Sequence, residues 1–161
     1  MATIQRKYVD NDNVIPYLDM LAMSEIGAEM LAASDDGYNV LVGSVPGAIR
    51  TFDSYAKHPD VFNKAEHSSA AGRYQILYLY WPYYQKQLRL PDFGKLSQDR
   101  YAIQQLEECH ALPFLANGNL AGAIACTAHI WSSLPGNRYG QHPHSMNWLK
   151  DAFTAAGGQL S

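Results

Sequence analysis

No apolar run in the 161 residues approaches the roughly 18 needed to cross a membrane, which excludes a spanning helix and any stable membrane anchor of that kind. The N-terminus lacks the apolar h-region of a signal peptide, so a soluble chain without an export address is expected. Positive charge is scarce as well. The formal net charge is −3 and no basic stripe is visible, which argues against a phosphate-binding surface and against nucleic acid as a partner. Internal repeats, low-complexity tracts and phosphate-cradling glycine-rich loops are all absent. Cysteine is limited to Cys109 and Cys126. They fall on consecutive predicted helices where a bridge is geometrically allowed, although buried free thiols are the commoner state without an export signal. His142-Pro143-His144 has the outline of a metal clip, but no complementary Cys or Glu spacing accompanies it. No metal and no cofactor is therefore expected.

What remains is a globular composition. Apolar residues make up 47% of the chain and charged residues 17%, which places it outside the disordered class. The length suits one domain, 1–161, with a sizeable core. The most informative stretch runs from Asn13 to Gly27 and reads as a helix, with Asn13 at the N-cap, Pro16 in the first turn and Gly27 at the C-cap. Leu18, Leu21 and Ala22 share one face, and Glu25 follows them at helical spacing. A carboxyl group there is expected to have its pKa raised twice over. Partial burial disfavours the charged form, and the helix C-terminus carries partial negative charge. A carboxyl that stays protonated near neutral pH suits a general acid acting on a glycosidic oxygen. The same position equally suits an ordinary solvated glutamate at a helix end.

Further along, residues 28–37 read as a connection with a short helical turn. Strand formers at 38–42, turn chemistry at Val45-Pro46-Gly47 and a return arm at 48–52 predict a small hairpin, with two extended arms of a loop as the alternative. Helices are expected over 80–88, with Trp81, Tyr84 and Leu88 on one face, and over 97–109, capped by Ser97 with Ala102, Leu106 and Cys109 inward. Another begins at an Asn119 cap, carries Leu120, Ile124, Ala128 and Trp131, and ends at Pro135-Gly136. A last helix over 145–156 uses Met146, Leu149 and Phe153 and closes at Gly157-Gly158. The fold class is α+β, dominated by helix.

Several tyrosines lie outside these stripes, and Tyr74-Gln75 and Tyr139-Gly140-Gln141 each set a ring beside a side-chain amide. Flat rings beside amides are the chemistry of sugar-binding surfaces, where a pyranose stacks and its hydroxyls take hydrogen bonds. Half-buried packing is the competing role for any one of them.

Ser24-Glu25, Gly37-Tyr38-Asn39-Val40, Ala71-Gly72-Arg73-Tyr74-Gln75, Ser97-Gln98-Asp99 and the run from Trp131 to Gln141 occur in one order. As an ordered set they resemble the phage lambda endolysin family, lysozyme-like lytic transglycosylases of peptidoglycan, over about residues 18–158. The resemblance implies a lysozyme-like two-lobed fold with one small hairpin or sheet and an active-site cleft between lobes. It also implies Glu25 as the catalytic acid and assigns Tyr74, Gln75, Tyr139 and Gln141, with Tyr38 and Asn39, to sugar binding. Two departures stand out. Ile26 intervenes where the lambda member has Ser-Glu-Gly, and Asn39 replaces an aspartate in Gly-Tyr-Asp.

A hydrolase ordinarily needs two carboxylates, whereas a transglycosylase can use one. In the mechanism the resemblance implies, Glu25 protonates the oxygen leaving C1 of N-acetylmuramic acid. It then takes the proton of that sugar's own 6-hydroxyl, which closes a 1,6-anhydro ring. The alternatives are a muramidase that activates water through Asp35, Asp36 or Asp53, and a non-catalytic peptidoglycan-binding module on the same fold. The implied partners are glycan strands and a separate holin-like pore. The implied setting is a monomer made in the host cytoplasm and released to the cell wall.

Overall fold

In the computed structural model, which describes residues 1–136 and 143–161, local helix chemistry accounts for most of the regular structure. The helices are α1 (Val14–Glu25), α2 (Ala28–Ala32), α3 (Trp81–Gln87), α4 (Lys95–Glu108), α5 (Leu112–Ala116), α6 (Leu120–Thr127) and α7 (Met146–Ala155), preceded by one 3₁₀ turn at Arg6–Tyr8. Contacts divide the chain into two compact units. One comprises Met1–Ser24 with Ala102–Ser161, the other Glu25–Tyr101. The boundaries fall inside α1 and α4.

The first unit is built on apolar helix faces. Leu18, Leu21 and Ala22 of α1 are fully buried, as are Leu106, Ile124, Leu149 and Phe153 from α4, α6 and α7. Asn119 and Ser145 cap as their side-chain chemistry predicts, accepting from the Gly122 and Trp148 amides. At the end of α7, Gly157 N–H donates to Thr154 and Gly158 N–H to Phe153, the paired bonds of a Schellman closure. Asn13 precedes α1 but does not cap it with its side chain. Pro16, three residues on, has no N–H to offer. The Asn13 amide instead donates to the Leu115 and Gln159 carbonyls at 2.8 and 3.0 Å and accepts from Gln159 N–H, tying α1 to α5 and the C-terminal segment.

Three expected boundaries move and one element is added. The short α5 is additional to the predicted elements. The Asn119-capped helix stops at Thr127, well before Pro135. Its hydroxyl bonds back to the Ala123 carbonyl, and Tyr17 Oη lies 2.6 Å away, an arrangement that bends a helix end. α4 begins at Lys95, so Ser97 lies inside its first turn and bonds Asp92, which also takes the Gly94 N–H. Gly27 opens α2, accepting at its carbonyl from Leu31, with Ile26 between it and the end of α1. Cys109 and Met146 are half-buried rather than inward. Both cysteines are free thiols, and Cys109 Sγ lies 3.8 Å from His129 Nε2.

Among the described residues, the second unit contains α2, α3, the first half of α4 and the small amount of β pairing. The predicted hairpin is present as isolated antiparallel bridges, Val40 with Thr51 and Val45 with Ala48 across the Pro46-Gly47 turn. A third arm joins it, because Leu41 also pairs with Ala71, and Ala71 with Ile76. The interior of this unit mixes rings with polar groups. Trp81 packs edge-on against Phe93 at 4.8 Å, and buried His58 lies 4.5 Å from the Phe93 ring.

Candidate active site

Glu25 is the last residue of α1 and its side chain is half-buried, so a carboxyl group is held at a helix C-terminus with partial access to solvent. The residues on either side are anchored. The Ser24 hydroxyl donates to Ser133, and Ile26 is buried. Ile26, the residue by which this chain departs from the Ser-Glu-Gly pattern, thus puts a buried apolar side chain directly after Glu25. Gly37 lies close to that side chain. A Cβ at Gly37 would lie 2.7 Å from Leu31 Cδ2 and 3.4 Å from Ile26 Cγ1, and its φ of +83° is the left-handed conformation that favours glycine.

The three short motifs at 37–39, 71–75 and 97–99 converge in one buried polar cluster. Tyr38 and Tyr74 both donate their hydroxyls to Asp99 Oδ1, at 2.7 and 2.6 Å. The two rings meet edge to face, 6.5 Å apart. Next along α4, Gln98 donates to the carbonyls of Tyr38 and Phe93 and accepts the Arg73 N–H at 3.0 Å. Gly72 makes room for this. A Cβ there would overlap the Gln98 amide, whose Cδ lies 2.7 Å away. The Arg73 guanidinium lies 5.2 Å over the Tyr38 ring and pairs with Asp36 at 2.8 Å. Burial, and then the charge of Asp99, pushes the Tyr74 phenol well above its usual range, so it remains a donor.

This geometry corrects part of the expected sugar-binding set. Tyr38 and Tyr74 are 0% and 1% exposed, so neither ring offers a face on which a pyranose can stack. Their half-apolar, half-polar character is spent inward, on each other and on Asp99. Asn39 and Gln75 are half-buried. Asn39 Oδ1 accepts the Asp35 N–H, and Gln75 Nε2 donates to the Gly72 carbonyl, so each amide keeps one polar atom without a partner among the described residues. Tyr139 and Gln141 lie outside the described residues. The residues that sequence reasoning left without a role are Gln98 and Asp99. The available signal was the pair of tyrosines outside any helix stripe, because a buried phenol requires an acceptor.

Two of the other acidic candidates are engaged. Lys95 Nζ at 2.5 Å, with the Tyr55 hydroxyl at 2.7 Å, holds the Asp35 carboxyl below the ordinary carboxylate range. Asp36 carries the Arg73 ion pair, and Asp53 is exposed. Among the described residues no group of three His, Cys, Asp or Glu side chains is arranged to hold a metal ion, and His144 is stacked on Trp148 at 3.8 Å. No helix among them is long and apolar enough to cross a membrane.

Comparison with known proteins gives a consistent result. The family model described as Endolysin matches residues 15–160. The chain is 45% identical over 156 residues to the endolysin of Escherichia phage P2, covering 92% of this chain and 94% of the relative. It is 42% identical over 149 residues to the endolysin of Escherichia phage lambda, covering 89% and 90%. Among solved structures it is similar to bacteriophage lambda lysozyme complexed with a chitohexasaccharide, with a TM-score of 0.85, 39% identity, and coverage of 95% of this chain and 99% of that one. A second structure of lysozyme from bacteriophage lambda matches with a TM-score of 0.79 and 38% identity over the same shares.

Proposed function

Because the chain belongs to the endolysin family, we propose that it degrades peptidoglycan as a lytic transglycosylase, cutting the β-1,4 bond between N-acetylmuramic acid and N-acetylglucosamine. Glu25 is the acid. It gives its proton to the oxygen leaving C1, and the positive charge that develops on the muramic ring is met by the carboxylate left behind. That carboxylate then accepts the proton of the same sugar's 6-hydroxyl as its oxygen bonds to C1. One strand end becomes a 1,6-anhydro sugar, the other a free 4-hydroxyl, and no water is consumed. The nucleophile is part of the substrate, so its attack carries an intramolecular advantage.

The observation that carries this reading is the state of the neighbouring carboxylates. Asp35 and Asp36 are tied to Lys95 and Arg73, and position 39 holds an amide, so residues 35–39 offer no uncommitted second carboxylate. A one-carboxylate mechanism fits that set better than one needing two. Asn39 and Gln75, with their unspent amide atoms, are assigned to substrate hydroxyls or acetamido groups, together with Tyr139 and Gln141. The match over 15–160 runs through both compact units, which supports residues 1–161 acting as a single catalytic domain. We extend the proposal to a monomer made in the host cytoplasm that reaches the wall through a separate holin-like pore.

Product analysis tests the chemistry. Anhydro ends on released muropeptides are expected, and reducing ends would show instead that water is the nucleophile. Glu25→Gln should lower turnover of purified peptidoglycan by about 10²–10⁴-fold with an unchanged thermal midpoint. Near-normal turnover in that variant would remove Glu25 from the mechanism.

A further inference from the structure

Asp99 is fully buried, yet nothing in the proposed chemistry uses it. A buried carboxylate is a demanding group to accommodate, since it must be compensated by donors with good geometry. Here two phenols from two different loops converge on a single oxygen, Tyr38 at 2.7 Å and Tyr74 at 2.6 Å. The neighbouring Gln98 takes hold of the Tyr38 carbonyl at 3.0 Å and of the Arg73 N–H at 3.0 Å. Residue 38 is thereby clamped at its ring tip and at its backbone by two consecutive residues of α4. Immediately before it, Gly37 is packed so that an added Cβ would meet Leu31 of α2 and Ile26. The Arg73 Cα lies 3.6 Å from the same point. The path runs from Asp99 through Tyr38 to the Gly37 turn, whose Cβ position lies 3.4 Å from Ile26 Cγ1, and Ile26 is bonded to Glu25.

We infer that Asp99 is a positioning residue for Glu25, fixing through Tyr38 and Gly37 the backbone on which the acid is carried. The inference rests on the reading of Glu25 as the acid. Its physical content is that acid catalysis tolerates little displacement, so a shift of the Gly37 turn by a fraction of an ångström is felt in turnover rather than in affinity. This also distinguishes it from the sugar-binding role expected of the tyrosines, which would appear in KM.

The test uses the full chain and purified peptidoglycan, well below each variant's thermal midpoint. Tyr38→Phe/Tyr74→Phe keeps both rings and removes both donors. Its kcat is expected to fall by about tenfold with KM within about twofold. Asp99→Asn keeps an acceptor oxygen and should recover most of the rate, within about threefold of the starting protein, whereas Asp99→Leu should fall with the tyrosine pair. If Asp99→Leu does not fold, the tyrosine pair still decides. An unchanged kcat in the doubly substituted protein, a rise in KM as its main effect, or a loss that vanishes on cooling would each overturn the inference. Glu25→Gln is measured alongside. If it is inactive while the tyrosine pair is fully active, only the positioning role fails; if it is active, the reading of the acid itself fails.

Discussion

Residues 1–24 with 102–161 and residues 25–101 solve the same problem of burying backbone in different ways. In the first unit, helices satisfy most of the backbone internally and the core is filled by Leu18, Leu21, Leu106, Leu149 and Phe153. In the second, long stretches have neither helix nor extended sheet. Buried side chains do the satisfying, with Gln98, Asp99, Arg73 and His58 in the interior. Backbone conformation differs in parallel. Among the described residues, six non-glycine residues have positive φ; Asp36, Asp60, His67, Gln75 and Arg89 lie in the second unit and His110 in the first. Irregular loops held by a few specific polar contacts give precise placement of groups, but each contact counts for more than any one apolar contact in a helix bundle.

The sharpest way to break this comparison is to damage each interior in its own currency. Leu149→Ala removes a fully buried side chain from the helical unit and should cost about 3 kcal/mol, read by denaturant unfolding. Its kcat below the midpoint should hardly change, since it opens a cavity in a helix face. Gly72→Ala strikes the polar interior. A methyl group there meets Gln98 at a φ of +81°, so about 2 kcal/mol of stability should be lost, and activity should fall in the remaining folded protein. Should Leu149→Ala reduce kcat as strongly as Gly72→Ala, the division between a supporting and a placing interior is wrong.

Acid provides a gentler probe. Burial depresses the pKa of His58, whose Nε2 faces the Ile76 carbonyl at 2.8 Å while Nδ1 accepts the Asp60 N–H, an arrangement only the neutral ring can make. The unfolded chain takes up a proton near the ordinary value of 6.5 before the folded one does. Stability from this group is therefore fully present above about pH 6.5 and is lost as pH falls through the folded value. Unfolding free energy measured from pH 7.5 to 5 should decline, and His58→Gln should flatten that slope. The smallest effect belongs to a local device of the helical unit. Asn119→Ala loses the cap on Gly122 and should cost about 1 kcal/mol with no change in kcat.

Helix-dominated architecture, the Asn119 and Ser145 caps, the Gly157-Gly158 closure and the buried stripes of α1, α6 and α7 were legible from order and spacing alone. These features are local: each depends on residues within a turn or two, which is the range over which sequence pattern speaks. The first-turn position of Pro82 in α3 was legible for the same reason. Asn13 shows the limit. Its type suited a cap, but partners at positions 115 and 159 claimed the amide, and no local rule contains them.

The tyrosines mark the same limit at the site. Tyr38 and Tyr74 were recognisable as rings with no helix stripe to join, and a ring near an amide serves a sugar and an interior equally well. Only the fold brought Asp99 to both hydroxyls from 61 and 25 residues away. Membership of the endolysin family and a mainly helical α+β fold were thus written in residue order. Which rings face inward, which carboxylates are held by cations and what braces the backbone behind Glu25 were decided by tertiary structure, because hydrogen bonds and ion pairs between distant segments depend on where those segments meet.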